Sequence, residues 1–226
     1  TPEAAVNRLG QAVNGVGLFI AFRMLVHDMA DVRRVLKALA VTGVVIAGAM
    51  TFEQLSGTNL FGYLGGVAVE TPIREGRLRA QASFTHAILA GGFGASMLPL
   101  SVALWPRGGS KLLAMAGLAA ATLMTVASAS STPLMSYLAA WVAVGFWAMR
   151  RHLQFVRWAA AIVLVGLHLV MKAPVWALIN RVGVVSGSTS YHRFKLVDSF
   201  IERFGEWWFC GTTGTASWGW GLQDIT

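Results

Sequence analysis

Three arginines, Arg74, Arg77 and Arg79, stand close together just ahead of a long apolar run, and a second basic group, His192, Arg193, Lys195 and Arg203, lies toward the other end of the chain. A guanidinium presents a planar fork of donors that matches the paired oxygens of a phosphate or pyrophosphate. The chemistry on offer is capture of a phosphorylated ligand and stabilisation of negative charge on it. Glu70, Glu75, Asp198, Glu202 and Glu206 are near enough in sequence for the alternative, a solvated rim in which acids pair with these cations. His168, inside another apolar run, is an ionisable group at membrane depth, either functional or a hydrogen-bonded core residue. One cysteine, Cys210, leaves no intrachain disulfide and no Cys-based zinc site. Without a Walker loop, a His-Glu-x-x-His helix or a nucleophile-elbow serine, neither a metal nor another cofactor is expected.

The elements that must position these residues follow from composition. Of 226 residues, 55% are hydrophobic and 12% charged, against roughly 25% charged in a soluble domain. That excludes a free cytosolic protein. The net charge of +8 comes from basic residues in small groups between apolar runs, not from a basic face with stacking aromatics, so no nucleic-acid partner is expected. A bilayer core about 30 Å thick calls for about 20 mostly apolar residues per helix. Runs of this kind extend from Leu9 to Val26, Val35 to Phe52, Thr85 to Trp105, Leu112 to Ala129, Leu134 to Met149 and Phe155 to Met171, with Pro174 marking an end or a kink. The reading is an all-α, polytopic transmembrane helix bundle of five to six spans, with the lipid bilayer as its first partner. In the third run, Gly91, Gly94, Ala95 and Ser96 allow a neighbouring helix to approach closely.

Loop charge sets the orientation. Arg33, Arg34 and Lys37 follow the first run, Arg107 and Lys111 the third, and Arg150, Arg151 and Arg157 the fifth, whereas Ser130-Ser131-Thr132-Pro133 after the fourth has none. The three basic turns therefore belong in the cytoplasm and the two long stretches on the far side. Nine Lys and Arg then fall on each face, with two acids inside and eight outside. The outer nine include every arginine of the two groups above, on the face where the charge rule does not call for them.

Two regions result: 1–171, a transmembrane bundle with an outer loop over about 53–84, and 172–226, an outer loop region. In the second, Phe194, Val197, Phe200, Ile201, Phe204, Trp207 and Trp208 recur at helical spacing. This predicts an amphipathic helix over about 191–209, capped by Ser188 or Ser190 and weakened by Gly205. It would lie at the interface or roof the bundle. In the Gly-rich sequence beyond it, Trp218 and Trp220 are interfacial anchors or sugar-stacking platforms.

Arg79-Ala80-Gln81-Ala82-Ser83-Phe84-Thr85-His86, followed by Ile88-Leu89-Ala90-Gly91, resembles a segment of the O-antigen ligase-like and polysaccharide polymerase superfamily of bacterial inner-membrane proteins. There an Arg, a small residue and a Phe precede a His or Asn at the mouth of a membrane helix. Ser188-x-x-Tyr191-His192-Arg193-x-x-Leu196, then Gly-rich sequence and Asp224, is similar to that family's large periplasmic loop. Ala82 and Ala87 depart from its usual Gly and Pro. The resemblance implies a multi-pass protein of the inner membrane with its active face in the periplasm, and a segment of a longer chain.

It also implies an inverting, metal-independent glycosyltransferase. The donor would be an undecaprenyl-pyrophosphate-linked glycan, and the acceptor lipid A core or another lipid-linked unit, in cell-surface polysaccharide biosynthesis. Arg79 and Arg193 would hold the pyrophosphate, and Arg77, Arg74, His192, Trp218 and Asp224 would contribute to substrate binding. The family's catalytic His follows an Asp shortly after the loop; His86 is the placed substitute as base. The alternative is a secondary transporter or flippase for an anionic lipid-linked sugar. Such proteins put ionisable groups near the midplane in repeated halves. Here only His168 does so and no repeat is visible.

Overall fold

The computed structural model describes residues 2–74, 76–105, 110–171, 173–178, 189–209, 211, 212 and 218. It is mostly helical, and among the described residues the strands form one two-residue hairpin. The chain divides into two compact units, Thr1–Val144 and Gly145–Thr226.

In the first unit, α1 (Pro2–Leu25) leads to α2 (Met29–Ser56). Asp28 starts α2 by accepting the Ala30 and Asp31 amides, each at 2.8 Å, and Gly57 ends it in the left-handed region at φ 71°. Next come strands β1 (Ile73–Arg74) and β2 (Arg77–Leu78), then α3 (Ala87–Ala103), α4 (Lys111–Ala127) and α5 (Ser131–Phe146). Helices α2, α3 and α4 pack around Ile46, Ala47, Met50, Ala90, Ala120, Met124 and Ala127. Ala40, Leu104 and Ala114 close the opposite end. Most of these side chains are small, so the backbones approach closely and dispersion does the work.

Helix α2 and the stretch Met149–Val170 are long and apolar enough to cross a membrane. Helices α3, α4 and α5 are apolar but have 17, 17 and 16 residues. The run from Leu9 falls in α1, which Asn7, Arg8, Gln11, Asn14 and Arg23 make more polar. The outward faces are apolar: Leu18, Phe19, Val45, Leu123 and Val126 are all exposed.

The second unit holds α6 (Leu153–Val170), α7 (Thr189–Glu202) and α8 (Phe204–Trp207). A 3-10 turn, Trp147–His152, precedes α6, and Pro174 opens another, Val175–Ala177, after that helix has ended. Two expectations are corrected here. The single amphipathic helix over 191–209 is broken at Arg203. The physical reason is that Trp207 folds back onto Phe200, ring centroids 3.7 Å apart, and its indole N–H donates to the Phe200 carbonyl at 2.8 Å. A continuous helix would spend that carbonyl on its own ladder. His168 lies not at mid-span but in the last turn of α6, where its Nδ1 accepts the Val175 amide at 3.3 Å and its ring stacks on Trp176.

The glycines of α3 give the packing a direct check. A Cβ at Gly94 would sit 2.7 Å from Met124 Cβ and 3.1 Å from the Ala121 carbonyl, whereas at Gly92 nothing lies within 4 Å. Gly94→Ala should cost about 1–3 kcal/mol by forcing α3 and α4 apart. Gly92→Ala should gain up to about 1 kcal/mol from helix propensity. Denaturant unfolding in detergent micelles reads both, and equal effects would contradict this packing.

Candidate functional site

A buried acid organises the segment that carries the first arginine group. Glu53 stands in the last turn of α2, where the helix dipole disfavours negative charge, and it is fully buried. Its Oε2 accepts the backbone amides of Gln81 at 3.1 Å and Ala82 at 2.8 Å, while Oε1 accepts the Thr71 hydroxyl at 3.2 Å. Asn59, also buried, donates from Nδ2 to the Ala82 carbonyl at 2.8 Å and accepts the Phe61 amide at 3.0 Å, which caps a 3-10 turn over Leu60–Leu64. Ala82 is thereby held from both sides in the left-handed region, φ 48°. A non-glycine residue accepts that conformation only where its surroundings enforce it.

Residues 57–59 and 69–71 pair through Thr71 N to the Gly57 carbonyl at 3.0 Å and Asn59 N to the Val69 carbonyl at 2.7 Å. The chain then turns through the hairpin, with Arg74 opposite Arg77 and Gly76 in the left-handed region at φ 72°. Both arginines are exposed. Like charges set directly across a strand pair disfavour the hairpin unless an anion or an acid lies between them. Arg79 follows, with its amide on the Pro72 carbonyl at 2.9 Å, and Ala80 donates to the Ala127 carbonyl at 3.0 Å. The Arg79 guanidinium, half-buried, donates from Nη2 to the Ser130 hydroxyl in the turn between α4 and α5. His86 occupies the N-cap position of α3; its backbone carbonyl accepts the Leu89 amide, but its exposed imidazole makes no cap bond.

Arg74, Arg77, Arg79 and His86 thus share one end of the first unit with the start of α3, the end of α4 and the turn at Ser130. Arg33, Arg34, Lys37 and Lys111 lie at the other end, within the first three turns of α2 and at the first residue of α4. Sequence reasoning missed three residues. Glu53 was readable only as an acid misplaced at the end of an apolar helix. Asn59 and Ser130 carried no signal beyond being small polar residues in loops.

In the second unit, His192 and Arg193 lie on the backbone of α7, and their side chains are outside the described residues, as are Asp224, Trp220 and Ser188. Trp218 is buried, 7% exposed, with its indole donating to Glu206 Oε2 at 3.2 Å. Glu206 also pairs with Arg203 at 3.2 Å, and Asp198 accepts the Trp176 indole at 3.0 Å. These acids therefore serve the fold of their own unit, as the rim reading expects for Arg203 and Glu206. Among the described residues no cluster of His, Cys, Asp and Glu could hold a metal ion.

Removing the Asn59 amide tests the clamp. Asn59→Ala leaves the Ala82 carbonyl buried without its donor and should cost about 1–3 kcal/mol, measured by denaturant unfolding in micelles. A cost near zero would mean that Ala82 is held by Glu53 alone. No family model, curated protein or solved structure matches this chain.

Proposed function

We propose that this chain belongs to a multi-pass membrane glycosyltransferase of the O-antigen ligase or polymerase type, acting on the periplasmic face of a bacterial inner membrane. The observation that carries the reading is the gathering of Arg74, Arg77, Arg79 and His86 at one end of the helices, opposite Arg33, Arg34, Lys37 and Lys111. All six apolar runs then serve as spans. Helices of 16 and 17 residues rise about 24–26 Å, so their flanking turns or local bilayer thinning make up the hydrocarbon thickness.

The reaction needs little beyond positioned charge. An acceptor hydroxyl attacks the anomeric carbon of the donor sugar as the bond to the pyrophosphate oxygen breaks, inverting the centre. Negative charge grows on the leaving pyrophosphate, and Arg79, with Arg77 and Arg74, stabilises it by charge-assisted hydrogen bonds. His86, exposed at the mouth of α3, takes the proton from the acceptor hydroxyl. Ser130 holds the Arg79 guanidinium until a phosphate oxygen replaces its hydroxyl.

Replacing one such donor costs about 10²–10³ in rate at comparable sites. Arg79→Ala should therefore abolish detectable polymer or ligated glycan in cells while the protein still inserts. Arg79→Lys should recover only part, because an ammonium lacks the fork. Normal glycan output from Arg79→Ala would sink the assignment. Transfer of lipid-linked sugar between leaflets without glycan joining would indicate a flippase instead.

Orientation is tested separately. In a Cys210→Ser background, Arg77→Cys should react with an impermeant maleimide added to the periplasm, and Ser110→Cys only after the membrane is permeabilised. The reverse pattern would invert the topology.

A further inference from the structure

Every backbone amide from Arg79 to Ala82 has an acceptor: the Pro72 carbonyl, the Ala127 carbonyl, and Glu53 Oε2 twice. Two of these four depend on a single carboxyl group. Glu53 itself is 0% exposed, so it cannot reach a sugar hydroxyl or a phosphate. We propose that Glu53 is the positioning residue of Arg79, holding the strap 79–82 so that the guanidinium is aimed before a ligand arrives. The proposal rests on the reading of Arg79 as a ligand of lipid pyrophosphate.

The chemistry required of Glu53 is acceptance, not proton transfer and not charge. Glutamine has the same length. Its carbonyl oxygen can take both amides, and its NH2 can donate to Thr71, whose hydroxyl accepts as readily as it donates. Alanine leaves the two buried amides of Gln81 and Ala82 without acceptors. Aspartate withdraws the acceptor by one methylene. A loosened strap frees Arg79 to leave Ser130, and binding must then bear the cost of ordering it again.

The test uses the full chain in nanodiscs, matched for folded amount, with two readouts. The first is the rate at which an arginine-specific dicarbonyl modifies Arg79 and Arg77, followed by peptide mass spectrometry. The second is affinity for undecaprenyl pyrophosphate, with the polyprenyl alcohol as control. Glu53→Ala should raise modification at Arg79 about tenfold, the scale of a buried group left unsatisfied, and leave Arg77 unchanged. It should weaken pyrophosphate binding by a similar factor. Glu53→Gln should restore both. In an Arg79→Ala background Glu53→Ala should cost no further affinity, because its effect passes through the arginine.

An unchanged Arg79 rate in Glu53→Ala would overturn the proposal. So would Glu53→Gln as impaired as Glu53→Ala, or an equal affinity loss with and without Arg79. If Glu53→Ala does not accumulate, Glu53→Asp supplies the same comparison. Wild-type protein that binds no undecaprenyl pyrophosphate would defeat the functional reading, while the modification rates still decide whether Glu53 controls Arg79.

Discussion

The acceptance of two amides and a hydroxyl by the buried Glu53 carboxyl is the interaction on which the arginine-bearing end of the first unit depends. Burying such a group without partners would cost several kcal/mol; with three donors around it, the same group specifies a single arrangement of the chain. It ties the end of α2 to residue 71 on one limb of the loop and to residues 81 and 82 on the other. Asn59 completes the closure from the opposite side of Ala82. The arginine hairpin projects from this closed base, so its exposed tip can carry charge while its root stays fixed.

The helices below are arranged to permit that closure. Because Ala47, Gly91, Gly94, Ala121 and Ala127 line the contacts, α2, α3 and α4 come close enough for a loop amide at Ala80 to reach the Ala127 carbonyl at the end of α4. Bulkier residues would bury more area per contact, yet they would hold the helix ends too far apart for a single hydrogen bond to bridge. Small-residue packing and the loop architecture are therefore one requirement seen at two levels.

Much of this was legible in the sequence. Runs of apolar residues located α3 to α6 to within three positions, since a helix's apolarity is local information, whereas α2 starts six residues before its apolar run. Gly91 and Gly94 announced close packing, and the spacing of Arg74, Arg77 and Arg79 announced a group of arginines at one end of the first unit. What escaped was non-local: Glu53 and Ala82 are adjacent only after the loop has turned twice, and nothing near Ser130 hinted that Arg79 would find it. The break at Arg203 escaped for a related reason. Periodicity reports which residues face one side, but Trp207 leaves its place in the stripe to take the Phe200 carbonyl, a choice between two hydrogen-bonding partners that spacing does not reveal.

The hydrogen bond from Ala80 to Ala127 has a consequence in time. Glu53 leaves the ribosome well before Gln81 and Ala82 do, and the turn that receives Ala80 and Arg79 follows only after α3 and α4 have been made. Domains assemble from the N-terminus as synthesis proceeds, so this acid spends that interval at a helix end with its partners still to come. The arginine-bearing end is consequently a late product of assembly, completed only once the fourth helix has been made, and a nascent chain halted before residue 130 has the arginines without the contacts that fix the segment carrying them.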